Sequence, residues 1–115
     1  MRFRTRFLVC GVTGVGLWLA LSGAVVAETH VVVAKEYRFE PEEVTVKVGD
    51  TVRWENHEKR QYHSVYFEEL GDPQGDYLFP GESRERTFDR AGTFPYICEP
   101  HFKSHNMKGV VLVVP

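Results

Sequence analysis

The sequence has 115 residues, of which 26% are charged and 43% apolar, and its formal net charge is −2. A chain of this length is expected to form one domain. The balanced charge argues against a nucleic-acid-binding protein that relies on a basic surface. The chain contains two cysteines and two methionines, and their positions become informative once the N-terminal segment is considered separately.

The N-terminal segment has the composition of an export signal. Its first residues carry three arginines and no acidic residue, and an apolar run follows that ends in Val-Val-Ala at Ala27. This pattern predicts a secretory signal peptide at residues 1–27, removed after Ala27. The run from Phe7 to Ala27 is also long enough to span a membrane, so a retained anchor is the alternative. We expect a periplasmic or otherwise exported protein, without stable membrane association once the signal is removed.

Removal of the signal changes the charge and the sulfur content. The remaining domain, residues 28–115, has 88 residues. Three of the 14 basic residues lie in the signal, so 11 basic residues face all 16 acidic ones and the formal net charge becomes −5. Only Cys98 and Met107 remain of the four sulfur-containing residues. A single cysteine cannot form an intramolecular disulfide, so its thiol needs another role.

Short β-rich runs separated by turn residues dominate residues 28–115, and helical periodicity is nearly absent. A small all-β sandwich or barrel is therefore predicted. The predicted strands are His30–Ala34, Val44–Val48, Thr51–Trp54, Ser64–Phe67, Arg84–Phe88, Thr93–Cys98 and Gly109–Val114.

Alternation within these runs predicts which side chains face the core. Val44, Val46, Val48, Val52 and Trp54 are expected to point inward. The last strand is apolar at successive positions, which is typical of a central strand covered on both faces. An ordered surface loop is predicted from Glu68 to Glu82, held by Tyr77, Leu78 and Phe79.

The residues with metal-binding chemistry are concentrated after the sixth strand. Cys98, His101, His105 and Met107 lie within ten residues, and alternation directs Cys98 toward the core. A soft thiolate with an imidazole and a thioether selects copper over hard cations. His63 begins a strand that sandwich pairing could bring beside Cys98. Two histidines and one cysteine with a weak axial methionine form an electron-transfer copper site.

Several motifs in order resemble the small single-domain cupredoxins, a family that includes plastocyanin, amicyanin and pseudoazurin. The motifs are Phe39-Glu40-Pro41, Val44-Thr45-Val46, Gly49-Asp50-Thr51-Val52-Arg53-Trp54-Glu55-Asn56, His63-Ser64-Val65, Phe79-Pro80-Gly81-Glu82-Ser83, Ala91-Gly92-Thr93-Phe94-Pro95-Tyr96-Ile97-Cys98, Glu99-Pro100-His101 and Met107-Lys108-Gly109. The resemblance implies a Greek-key β-sandwich of about seven to eight strands that binds one copper ion. It implies His63, Cys98 and His101 as strong ligands and Met107 as the axial ligand.

The resemblance also implies a function and its partners. A cupredoxin shuttles single electrons between redox partners such as a cytochrome or a redox enzyme, which it meets transiently through an apolar surface around the downstream histidine, here His101. Four protein ligands leave no open coordination position for a substrate, so the protein is not expected to be an enzyme. Nucleic acid is not an expected partner. A copper-binding protein for storage, delivery or resistance is the alternative, because it could use the same ligands plus His105.

One spacing departs from the family pattern. Five residues separate His101 from Met107, which is more than in the familiar small cupredoxins, and His105 is among them. His105 is therefore an alternative ligand, which would give a site similar to the red-copper protein nitrosocyanin. The other two histidines, His30 and His57, are expected to face water, as are the adjacent acidic pairs of the chain.

Overall fold

The computed structural model describes residues 26–115, so most of the predicted signal peptide lies outside the described residues. In the described part, nine strands, one helix and one 3₁₀ turn form the regular structure. The strands are β1 (Thr29–Lys35), β2 (Arg38–Glu40), β3 (Glu43–Lys47), β4 (Thr51–Asn56), β5 (His63–Ser64), β6 (Tyr77–Leu78), β7 (Ser83–Thr87), β8 (Gly92–Ile97) and β9 (Lys108–Val114). The helix α1 is Glu99–His105, and the 3₁₀ turn is Glu68–Leu70.

The strands form a sandwich of two main sheets. One sheet has the order β2-β1-β4-β7 and the other β3-β9-β8, while β5 and β6 pair with each other. The pairs β1 with β4 and β3 with β9 are parallel, and the other pairs are antiparallel. The predicted all-β sandwich is confirmed. Six of the seven predicted runs correspond to strands, and the short strands β2 and β6 are additional. The predicted strand Ser64–Phe67 was wrong in extent, because β5 ends at Ser64 and Tyr66 makes only an isolated bridge to Ile97.

The core lies between the two main sheets and follows the predicted alternation, although Val48 is only partly buried against it. Val44, Val46, Val52 and Trp54 are buried, and Trp54 makes edge-to-face contacts with neighbouring aromatic rings at centroid distances of 5.4 and 5.7 Å. Strand β9 is central in its sheet, as predicted, but its outward-facing residues are only half-buried. The prediction that it is covered on both faces was therefore wrong.

A buried carboxylate anchors the start of β1. Asp50 is 3% exposed and accepts hydrogen bonds from the backbone N–H of Glu28 at 3.0 Å, the backbone N–H of Lys47 at 2.9 Å and Nε2 of His30 at 2.9 Å. These donors, that of Glu28 first, lower the pKa of Asp50 to about 2. The prediction that His30 faces water was wrong, because its ring is drawn to this carboxylate. His57 is exposed, as predicted.

The helix α1 fills the segment that was predicted as a loop after Cys98. Pro100 lies in its first turn, where a missing N–H costs nothing, and Asn106 ends it with a left-handed φ of 51°. Within residues 26–115, the structure contains no helix of the length and apolarity needed to cross a membrane.

Candidate metal centre

Three side chains predicted as metal ligands meet at one end of the sandwich. The Cys98 sulfur lies 3.7 Å from Nδ1 of His63 and 3.4 Å from Nδ1 of His101. The two imidazole nitrogens lie 3.2 Å apart. Cys98 and His63 are fully buried, whereas His101 is half-buried. The three candidate donor atoms therefore face one another, with only His101 reaching toward the surface.

Strand β8 and the neighbouring β5 segment position the thiol of Cys98. Alternation buries Phe94, Tyr96 and Cys98 on one side of the chain, as predicted. The backbone N–H of Ser64 donates to the Cys98 sulfur at 3.3 Å, and the Ser64 hydroxyl accepts the N–H of Glu99 at 2.8 Å. Burial raises the pKa of the Cys98 thiol. Because metals bind the thiolate, binding here is coupled to loss of the thiol proton.

His63 is oriented by a carboxylate on its far side. Its Nε2 lies 3.2 Å from Oε1 of Glu58, and a carboxylate only accepts, so Nε2–H donates to Glu58. This tautomer leaves the lone pair of Nδ1 directed at Cys98. Burial lowers the pKa of His63, which favours the neutral ring that ligation requires. Such an outer hydrogen bond is typical of metal-binding histidines.

The first turn of α1 presents His101 to the same point. Its backbone N–H donates to the carbonyl of Cys98 at 3.1 Å, which closes the turn between the two residues. Burial lowers the pKa of His101, and the neighbouring histidines lower it further. Both shifts favour the neutral imidazole, the form that binds a metal.

Met107 returns to the centre after the helix. It is 1% exposed and belongs to the same buried cluster as Cys98. Its carbonyl accepts the N–H of Cys98 at 3.0 Å, and its own N–H points to the carbonyl of His101 at 3.4 Å. The long spacing between His101 and Met107 is therefore accommodated by the turns of α1 and the left-handed residue Asn106.

His105 lies apart from the three donor atoms. It is exposed at the end of α1, and its ring stacks on Tyr37 with a centroid distance of 3.6 Å and an interplanar angle of 3°. The group of candidate donor atoms within 4.8 Å of one another contains His63, Cys98 and His101 without it.

Sequence reasoning missed Glu58, Ser64 and Tyr37 as parts of this centre. Glu58 directly follows His57, which was expected to face water, yet the Glu58 side chain is directed at His63. A carboxylate five residues before a candidate histidine ligand is a weak signal that could have pointed to it. No local sequence pattern predicts Tyr37 as part of the centre. It lies in the turn between β1 and β2, far along the chain from the helix α1 that it contacts.

Comparison with known proteins identifies the family. Residues 26–114 match the model of the copper-binding proteins of the plastocyanin/azurin family. The chain belongs to this family. Plastocyanin of Scenedesmus fuscus is 44% identical over 85 residues, which cover 65% of this chain and 85% of that protein. Amicyanin of Paracoccus denitrificans is 37% identical over 97 residues, or 80% of this chain and 71% of amicyanin.

This member of the plastocyanin/azurin family also shares its fold with a solved structure. The crystal structure of amicyanin from Paracoccus versutus superposes with a TM-score of 0.66 at 32% identity, over 80% of this chain and 87% of that one. The predicted small cupredoxin is confirmed by these comparisons.

The donor set of this cupredoxin fits the single copper ion that the family binds. At the bond lengths of zinc sites, about 2.0–2.1 Å to nitrogen and about 2.3 Å to sulfur, three donors in one plane with a metal ion would lie about 3.5–3.8 Å apart. The observed separations of 3.2, 3.4 and 3.7 Å are close to these values. Thiolate and imidazole donors together suit copper better than hard cations.

Proposed function

We propose that this cupredoxin carries single electrons between redox partners in an exported compartment. The observation that carries the proposal is the convergence of one buried thiol and two imidazoles within 3.7 Å. Bound copper supplies the redox chemistry by cycling between Cu(I) and Cu(II). The half-buried ring of His101 offers the shortest path from this centre to a partner at the surface.

We assign His63, Cys98 and His101 as the strong ligands and Met107 as the axial ligand. Burial of Met107 beside Cys98 favours its thioether for the fourth position. His105 is exposed and stacked on Tyr37, which disfavours it as a ligand. With four donors from the protein, no coordination position is left for a substrate, so the proposed role is that of a carrier rather than an enzyme.

The protein around the centre is suited to holding its donors still. The backbone pairs that join Cys98 to Met107 and to His101 are 3.0 and 3.1 Å long, and Ser64 binds the sulfur through its N–H. A set of donors fixed in this way changes little when the charge of the metal changes. Burial also excludes water from the thiol, which protects it from oxidation.

The axial assignment predicts a difference between two substitutions. Met107→Leu removes a donor from the centre, so we expect a changed visible spectrum and a shifted reduction potential, because the axial ligand tunes both. His105→Ala is the matched control and should leave both unchanged. Absorption spectra and voltammetry of the copper-loaded proteins measure the effects. A large change in His105→Ala alone would reject Met107 and favour a red-copper site.

The surface around His101 suits a transient protein partner. Tyr62 lies 6.4 Å from His101 between ring centroids and packs against Tyr77 at 4.9 Å, and Phe79 and Phe102 are also exposed. The sequence predicted that Tyr77 and Phe79 hold their loop in place. Both are more than one-third exposed, so they also contribute to this aromatic surface. Small aromatic surfaces are typical of short-lived electron-transfer contacts.

We propose that the partner is a basic protein such as a cytochrome. The formal charge of −5 on residues 28–115 would steer a basic partner toward the domain. We expect the rate of electron exchange with a basic cytochrome to fall as salt is added, because salt screens long-range attraction. Stopped-flow absorption measures the rate, with a neutral small-molecule oxidant as the control. Rates that do not depend on salt would contradict the steering.

The N-terminal segment accounts for the export of the protein in this proposal. We propose that residues 1–27 direct the chain to the periplasm or an equivalent compartment and are removed after Ala27. The hydrogen bond from the backbone N–H of Glu28 to Asp50 is consistent with a domain that begins at this residue. Mass spectrometry of the exported protein tests the boundary, and a retained N-terminus would favour the membrane anchor.

A further inference from the structure

The turn between β1 and β2 has an unusual backbone and lies against the metal centre. Its two central residues, Glu36 and Tyr37, have left-handed φ values of 55° and 57°. Turns of this type usually contain asparagine and glycine, because other side chains are strained there. A strained conformation persists only where surrounding contacts hold it, and it often marks a functional constraint.

The segment that leads to His63 holds this turn by two hydrogen bonds. The backbone N–H of Glu36 donates to Oε1 of Glu58 at 2.7 Å, and Nε2 of Gln61 donates to the hydroxyl of Tyr37 at 2.7 Å. The same oxygen of Glu58 lies 3.2 Å from Nε2 of His63. The turn is thus connected to the far side of one imidazole of the centre.

The ring of Tyr37 contacts two histidines of α1. It stacks face to face on His105 at 3.6 Å, and it meets His101 edge to face at 4.9 Å. His101 and His105 are four residues apart on one helix face, with centroids separated by 6.1 Å. The Tyr37 ring therefore packs on His101, which faces the thiol, and on His105, which does not.

We propose that Tyr37 is a positioning residue that selects the copper ligands by keeping His105 out of the centre. The inference rests on the proposed function. An imidazole is a stronger ligand of Cu(II) than a thioether, and a helix of seven residues is marginal without side-chain contacts. Without the Tyr37 ring, the end of α1 is free to open and to present His105 to the metal in place of Met107.

The test compares Tyr37→Leu with Tyr37→Phe, each with and without His105→Ala. In copper-loaded Tyr37→Leu we expect a shifted visible spectrum, altered electron-spin-resonance splitting and a shifted reduction potential. Tyr37→Phe retains the stacked ring and should retain the wild-type spectra. Tyr37→Leu/His105→Ala should recover the wild-type spectra, because the competing imidazole is gone. Thermal unfolding of each protein establishes that it is folded.

Three results would overturn the inference. Wild-type spectra in Tyr37→Leu would show that the ring does not select ligands, and unrecovered spectra in the double variant would show that His105 is not the competitor. Should Tyr37→Leu fail to fold, proton NMR of the reduced wild-type protein tests the contact between Tyr37 and His105 directly. It should give cross-relaxation between the rings of Tyr37 and His105, and its absence would refute the stack. A wild-type protein without a thiolate-to-copper band would instead refute the proposed function.

Discussion

Replacing Cys98 by serine should abolish the intense visible band of the copper-loaded protein. The band arises from charge transfer between thiolate and copper, and a serine hydroxyl is a hard donor that cannot replace the soft sulfur. The buried site, with Cys98 0% exposed, offers no other sulfur than that of Met107 in the described residues. We also expect copper affinity to fall, since the thiolate is the only anionic ligand proposed. Absorption spectra and a competition titration with a chelator measure the two effects.

The chain provides a matched control for this substitution. Cys10 lies in the predicted signal peptide, so Cys10→Ser in the full chain should leave the exported, copper-loaded protein spectroscopically identical to the wild type. A Cys98→Ser protein that keeps the intense band would show that the thiol is not a ligand. Loss of the band in Cys10→Ser would contradict the predicted removal of residues 1–27.

Replacing Gly109 by alanine should destabilise the domain and disturb the metal centre together. Gly109 pairs with Tyr96 across β8 and β9, and a Cβ at this position would overlap the Tyr96 hydroxyl and approach Cε1 within 2.8 Å. Tyr96 is buried and cannot move aside, so the strands must shift. Overpacking of this kind costs about 1–3 kcal/mol of the free energy of unfolding. Met107 is two residues away and pairs with Cys98, so the visible spectrum should shift as well.

Denaturant unfolding and absorption spectra test the Gly109→Ala prediction. Thr93→Ala is the control, because Thr93 is an exposed residue on the same pair of strands, and surface substitutions change stability by about 0.5 kcal/mol or less. A Gly109→Ala protein as stable as the control, with an unchanged spectrum, would contradict the close packing of Tyr96 on this strand.

Most of the strands that sequence reasoning predicted contain an alternating or continuous apolar run of four or more residues. Val44, Val46, Val52 and Trp54 lie in such runs, and each is buried. Strands β2 and β6 have only three and two residues, which is too short for alternation to show. The helix α1 has seven residues and no buried one, so it leaves no helical periodicity in the sequence. Its formation depends on Pro100 and Asn106 at its ends.

The candidate ligands of the metal centre could be predicted, because their residue types alone indicate metal binding. Cys98, His101 and Met107 lie close in sequence, and the order of motifs added His63. The contacts that orient them were not predictable, because they join distant residues: Glu36 bonds to Glu58, 22 positions away. The error at His30 has the same origin, since its partner Asp50 is 20 positions away. Such partners depend on how distant segments are aligned in the fold, and local sequence patterns do not reveal that alignment.

A redox titration of the exported, copper-loaded protein tests the electron-carrier function most directly. We expect one copper per chain, an intense thiolate-to-copper band that disappears on addition of one electron per copper, and full return of the band on reoxidation with no copper lost to a chelator. A protein that lacks the band, or that releases its copper on reduction, would contradict the function of an electron carrier. Release on reduction would favour copper storage or delivery instead.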